Sequence, residues 1–330
     1  MLRHGHTCQA CQKENQKETS GMPITFRQLH PAFAAEVSGI DCREALNRDQ
    51  VAAVEVGMDQ YAVLVFRDQT ITDDQQLAFT RHFGALENYR SRGHIQKRED
   101  SRLRPGMADF SNLDRNGAII SADDRVWFFK LGDRLWHSDS SFRPIPARYS
   151  LLSGRVLPSW GANTEFADMR AAYDALDGRT RAEVEDLVCE HSLIYSREAI
   201  GFTELTAEER AAFTPVRQRL VRTHPVTGRR SLFLSSHAGT IVGWTIPEAR
   251  MFLRDLTEFA TQREFVYSHV WRPNDLVMWD NRQTMHRGRR YDRNEVRDVR
   301  RTTLAGDVAT IEQAAAVGEQ AAEETAASAE

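Results

Sequence analysis

The sequence predicts a mainly β protein with flanking helices, arranged as a double-stranded β-helix or jelly roll. Short β-branched and aromatic runs recur along 330 residues, helical stripes are few, and there is neither an internal repeat nor a glycine-rich phosphate loop. Ala62 to Phe66 is a short continuous apolar run, read as a buried strand. Thr72 and Gln75 form a capping-box pattern that opens a helix through Leu77, Phe79 and Phe83. Strands are expected at Tyr149 to Val156, Thr164 to Ala167, Leu187 to Tyr195, Leu220 to His224 and Leu232 to Ser235. Pro247 stands where its missing N–H is harmless and begins a helix, with Phe252, Leu253, Leu256 and Phe259 as the apolar stripe. Phe265 to Trp271, a turn over Arg272 to Asp275, and Leu276 to Trp279 read as a hairpin.

Composition narrows the function classes. Apolar residues make up 41%, enough for a sizeable core, and 43 basic against 47 acidic side chains give a net charge of −4. That balance offers no electrostatic case for nucleic acid or an anionic membrane. No apolar run is long enough for a transmembrane helix, and no apolar signal core opens the chain. A cytoplasmic protein is expected, with a homo-oligomer left open. Four scattered cysteines give no disulfide framework.

Three segments are expected: an N-terminal extension over 1–21, a catalytic domain over 22–308 and an Ala/Glu-rich tail over 309–330. The extension holds His4, His6, Cys8 and Cys11 within eight residues. Structural zinc needs a scaffold of turns and ordered ligand pairs, so an extension is the preferred reading.

The chemistry concentrates elsewhere. On a strand, His137 and Asp139 point to one face, because side chains alternate with a period of two. A distant histidine, His286, can complete a two-histidine, one-carboxylate set that holds one face of an octahedral iron(II) and leaves the other open. Arg297 follows, and a guanidinium grips a carboxylate through two parallel hydrogen bonds. It suits the far end of a dicarboxylic acid chelating the metal. A polar loop separates His286 from Arg297, which would place the metal and this clamp on adjacent strands.

The surrounding sequence is more specific than the HxD pair. The segments Trp136 to Phe142, Ala147 to Ser153, Thr164 to Tyr173, Ala260 to Tyr267, Leu276 to Arg282 and His286 to Asp292, with Arg300-Arg301, closely resemble the taurine dioxygenase family of Fe(II)/2-oxoglutarate oxygenases. Within it, the likeness is to the branch acting on aryloxyacetates such as 2,4-dichlorophenoxyacetate, and it spans about Leu29 to Thr303. The resemblance implies a cupin-like fold, with iron on His137, Asp139 and His286. It also implies 2-oxoglutarate on Thr164 and Arg297, and the acidic group of the substrate on Arg301. Dioxygen is the third reactant, and hydroxylation beside the ether oxygen gives a hemiacetal that collapses to a phenol and glyoxylate, with succinate and CO2 from the co-substrate.

His224 and His237 stand at expected strand ends and are candidates for hydrogen bonds to the substrate, whereas His30, His82, His94 and His191 read as structural or surface residues. The stretch from Glu87 to Gly106 matches the branch poorly and is strongly basic. It reads as a mobile lid, with Arg90 and Lys97 as substrate candidates against the plainer account of a solvated loop. Rival readings are another aromatic carboxylate, a sulfonate held by Arg301, and a jelly roll that only binds ligands.

Overall fold

The computed structural model describes residues 23–88, 95 and 101–313. Its strands are β1 Thr25–Gln28, β2 Ala35–Ser38, β3 Val63–Phe66, β4 Ala108–Asp109, β5 Tyr149–Val156, β6 Thr164–Asp168, β7 Val188–His191 and β8 Val216–Arg219. They continue with β9 Val221–Thr223, β10 Arg230–Leu232, β11 Ala238–Ile241, β12 Val266–His269, β13 Leu276–Asp280, β14 Thr284–Gly288 and β15 Asp298–Thr303. The helices are α1 Arg48–Tyr61, α2 Asp73–Arg81, α3 Arg125–Lys130, α4 Met169–Asp174, α5 Gly178–Val184, α6 Leu193–Glu198, α7 Ala207–Ala212 and α8 Ile246–Ala260.

A seven-stranded sheet in the order β1-β2-β3-β13-β5-β15-β4 faces a three-stranded sheet, β12-β6-β14. Strand alternation assigns each side chain to a layer. Val63, Val65, Leu152, Val277, Trp279 and Val299 of the large sheet pack with Phe166 of β6 between the sheets. Their neighbours Leu64, Phe66, Tyr149, Leu151, Leu276 and Met278 point the other way, onto Val54 and Met58 of α1 and Phe79 of α2. On the far side of the small sheet, Ala167 and Met285 pack with Ala249, Leu253, Leu256 and Ala260 of α8. The result is a jelly-roll sandwich wrapped by helices, as the sequence predicts.

Local signals hold where they are strongest. Thr72 and Gln75 form the reciprocal capping box at α2, and Pro247 lies in the first turn of α8. Several expectations fail. The expected hairpin over Phe265 to Trp279 is not one: β12 pairs with β6, whereas β13 pairs with β3 and β5 in the other sheet. The strand expected over Leu187 to Tyr195 stops at His191, because the Ser192 hydroxyl accepts from Ile194 N–H and starts α6. The run at Leu220 to His224 shortens to β9, and the strand expected at Leu232 to Ser235 lies earlier, as β10. The tail expected from 309 does not begin there. Thr310 is buried, its hydroxyl donating to Gln218 and accepting from Arg219 N–H. His4, His6, Cys8 and Cys11, with the rest of the expected extension, lie outside the described residues.

Candidate metal and substrate site

His137 and His286 are joined backbone to backbone. His137 N–H donates to His286 O at 3.0 Å and His286 N–H to His137 O at 2.8 Å. His286 points between the sheets because Met285, its neighbour on β14, points to the outer core. The strand expected for His137 and Asp139 is a single isolated bridge that turns at once, with Ser140 in the left-handed region at φ 56°. The turn, rather than strand alternation, brings Asp139 beside both rings. His137 Nε2 lies 4.0 Å from Asp139 Oδ1, and His286 Nε2 lies 3.8 Å from Asp139 Oδ2.

The donor set fits a divalent cation. One ligand atom from each of the three buried residues lies within 4.8 Å of the others. His137 Nδ1 lies 2.8 Å from the carbonyl of Leu135, which can only accept, so Nδ1 carries the proton and Nε2 presents a lone pair. Burial, then the neighbouring His137, pushes the pKa of His286 well below its ordinary value and keeps the ring neutral. Burial pushes Asp139 up, but the Arg301 guanidinium beside it, with the Ser150 hydroxyl, brings its carboxyl down to about 2. A second layer fixes the carboxylate. Ser150 Oγ donates to Asp139 Oδ2 at 2.7 Å, Asn281 Nδ2 donates to Ser150 Oγ at 3.0 Å, and Asn281 Oδ1 accepts from Asp139 N–H and the Trp279 indole.

Two cavities meet at this cluster. The first is lined by Thr164, Arg297, Arg134, Arg289, Trp127, Leu131, Tyr291, Trp279 and His286, among others. Among the described residues, five cationic side chains, Lys130, Arg134, Arg289, Arg297 and Arg301, face it with Asp133 as the single acid. The second is walled by Ile95, Val126, Phe129, Phe142 and Leu193, and among the described residues its charges balance: Lys130, Arg143, Arg197 and Arg301 against Glu87, Asp109, Asp133 and Asp139. Phe110, Lys130, Asp133, His137 and Arg301 line both. Helix α3 serves both because of its pitch. Trp127 and Lys130, with Leu131 at its C-cap, make one stripe, and Val126, Phe129 and Lys130 the other.

The candidates from sequence divide accordingly. Thr164 and Arg297 face the first cavity, the hydroxyl of Thr164 accepting from the Trp271 indole at 3.0 Å. Arg297 Nη1 donates to Phe110 O at 2.7 Å, its guanidinium lies 5.4 Å from the Tyr291 ring centre, and Nε meets no partner among the described residues. Arg301 shares the inner face of β15 with Val299. It lies over the Phe110 ring at 4.2 Å and pairs with Asp139. The expected adjacency of metal set and clamp is corrected: β14 and β15 belong to facing sheets. His237 lines the second cavity, its Nδ1 2.9 Å from Ser196 Oγ. His224 is a correction. It lines neither cavity and is buried against Asp280, with Nε2 3.3 Å from the carboxylate. Arg90 and Lys97 lie outside the described residues. Lys130, Arg134 and Phe129 escaped the sequence reading, since no motif marks them, and Phe142 and Arg289 lie inside motif segments that gave them no role.

This arrangement is that of a dioxygenase. The family model described as "Taurine catabolism dioxygenase TauD, TfdA family" matches residues 25–303, and the chain belongs to that family. It is 47% identical to the alpha-ketoglutarate-dependent 2,4-dichlorophenoxyacetate dioxygenase of Cupriavidus pinatubonensis over 288 residues, 87% of this chain and 99% of the relative. It is 36% identical to the (S)-phenoxypropionate/alpha-ketoglutarate-dioxygenase of Sphingobium herbicidovorans over 86% of this chain and 95% of that one. Among solved structures, AAD-2 in complex with Mn(II) and N-oxalylglycine superposes with a TM-score of 0.86 at 60% identity, covering 88% of this chain and all of the other.

Proposed function

We propose that the chain is an Fe(II)- and 2-oxoglutarate-dependent dioxygenase of aryloxyalkanoic acids. One observation carries this reading: the three-residue donor set lies where a cation-rich cavity meets an apolar-walled one. The catalytic domain is read as starting at 22, with its end moved from 308 to Glu312 to include the packed Thr310. In this reading His137, Asp139 and His286 hold the iron, which when bound supplies the activation of dioxygen. Arg297 and Thr164 take the far carboxylate of 2-oxoglutarate in the cavity whose cations outnumber its acids. The aryl ring occupies the second cavity against Phe129, Phe142 and Leu193. Its carboxylate meets Arg301, so that the carbon beside the ether oxygen faces the metal set. His237 borders the ring.

One oxygen atom of O2 enters succinate as 2-oxoglutarate loses CO2, and the other enters the substrate C–H bond. The resulting hemiacetal breaks its C–O bond to release a phenol and glyoxylate. Operation in the cytoplasm belongs to the same reading; no helix among the described residues is long and apolar enough to cross a membrane.

The test is an aerobic assay of aryloxyacetates, aryloxypropionates, cinnamates and sulfonates with Fe(II) and 2-oxoglutarate, measuring succinate, phenol and sulfite. Stoichiometric phenol and succinate from aryloxy acids is the expected result. Sulfite release without phenol would move the chain to the sulfonate reading.

A further inference from the structure

Among the described residues, the ion pairs of the second cavity leave one cation over. Arg143 Nε lies 3.5 Å from Glu87, Arg197 Nη2 lies 3.2 Å from Asp133, and Arg301 pairs with Asp139. The fourth acid, Asp109, accepts two hydrogen bonds from Arg102, which is not a lining residue, at 3.0 and 3.1 Å. Lys130 forms no ion pair with any carboxylate among the described residues. Its Nζ donates to the backbone carbonyl of Ser111 at 3.1 Å. An ammonium has three donors, so this neutral contact leaves capacity for an anion. Burial pushes the amine pKa down, against the pull of Asp109 and Asp133, so an arriving carboxylate would restore stabilisation that desolvation removed.

Position gives this cation its meaning. Lys130 ends α3 at the point where the helix's two stripes converge, and it and Arg301 are the two cations that border both cavities. Arg301 already answers Asp139. Resting on the aryloxy-acid reading above, we propose that Lys130 is a substrate-binding residue: with Arg301 it forms a two-cation seat for the carboxylate of the aryl acid. Lysine suits a shared position, because an ammonium is a point charge on a flexible stem that accepts a carboxylate from a range of directions. Arg301 supplies direction and Lys130 supplies charge. Phe129, one residue back on α3 and on the same cavity wall, then meets the ring of the acid that Lys130 holds.

The experiment measures binding apart from turnover. Full-length protein loaded with Mn(II) and N-oxalylglycine is titrated calorimetrically with phenoxyacetate and with the neutral alcohol 2-phenoxyethanol. 2-Oxoglutarate is titrated separately into the Mn(II) protein. Lys130→Met should weaken phenoxyacetate by about tenfold or more, the size of a lost charge-assisted contact. It should leave 2-phenoxyethanol and 2-oxoglutarate within about twofold. Lys130→Gln, which can still donate to Ser111, should show the same selective loss, and Lys130→Arg should recover part of it. Unchanged phenoxyacetate affinity in a folded Lys130→Gln protein overturns the proposal, as does a loss confined to 2-oxoglutarate. Wild-type protein that binds no aryl acid would bring down the aryloxy-acid reading and this seat together, an outcome distinct from either.

Discussion

Asp139 and Asp280 are both buried, and both face a histidine and an arginine. Around Asp280 every valence is answered inside the protein. Arg282 donates from Nε, Nη2 and its backbone N–H, and Gln283 adds a bond at 2.8 Å. His224 Nδ1 accepts from Thr227 N–H, so its Nε2 carries the proton that points to Asp280. Nothing in that knot is left to bind a guest. At Asp139 the histidine nitrogens face the carboxylate at 3.8 and 4.0 Å, too far for hydrogen bonds, and both rings border a cavity. Two similar residue sets thus differ in whether the nitrogen lone pairs are spent. The sequence offered His224 only as a histidine at an expected strand end, which says nothing of whether its nitrogens are already spent on Asp280 and Thr227.

The sharpest way to break this contrast is to exchange the losses. His137→Ala, and Asp139→Asn, whose amide oxygen can still accept from Arg301 and Ser150, should remove succinate formation in the presence of substrate while leaving the chemical-denaturation midpoint nearly unchanged. A folded variant with wild-type turnover would refute the metal set. Asp280→Ala should do the reverse. It strands Arg282 and His224 in the interior and should lower the unfolding free energy by about 3–5 kcal/mol, read by urea denaturation. If Asp280→Ala is as stable as wild type, the closed knot is not structural.

Smaller effects sharpen the comparison. Arg297→Ala should raise the 2-oxoglutarate KM by roughly tenfold or more, from a charge-assisted contact worth about 1.5–3 kcal/mol, with the aryl-acid KM little changed. Asn281→Ala removes the amide that holds both the backbone of Asp139 and Ser150. It should cost about 10–100-fold in metal affinity or activity, measured by iron titration. Acid stability gives the mildest test. Burial raises the pKa of Asp280, but Arg282 and His224 hold it well below the usual carboxylate range. A depressed folded pKa contributes stability above the unfolded value, and that contribution fades as pH falls below it. Asp280→Asn should therefore flatten the decline of Tm between about pH 5 and pH 2. An unchanged slope would assign the acid limb to other carboxylates.

The sequence carried what chemistry spells out locally. His286 was legible because its strand and its arginine-rich sequel form a specific pattern, and the α2 cap because its reciprocal bonds lie three residues apart. What failed was set by long-range pairing. Two apolar runs joined by a short turn looked like a hairpin, yet Asp275 in that connection is buried against Arg67 and His269, and the strands enter different sheets. Lys130 was invisible for a related reason. Its role depends on which acids other arginines already hold, and that is decided in three dimensions.

The pitch of α3 separates two inheritances. The reacting centre is supplied by β14, the turn after His137 and the inner face of β15, none of which α3 contributes. Val126 and Phe129 shape the second cavity from an element separate from those that carry the metal set and Arg301. A lineage facing a new compound could keep its chemistry and rewrite its appetite within one short helix.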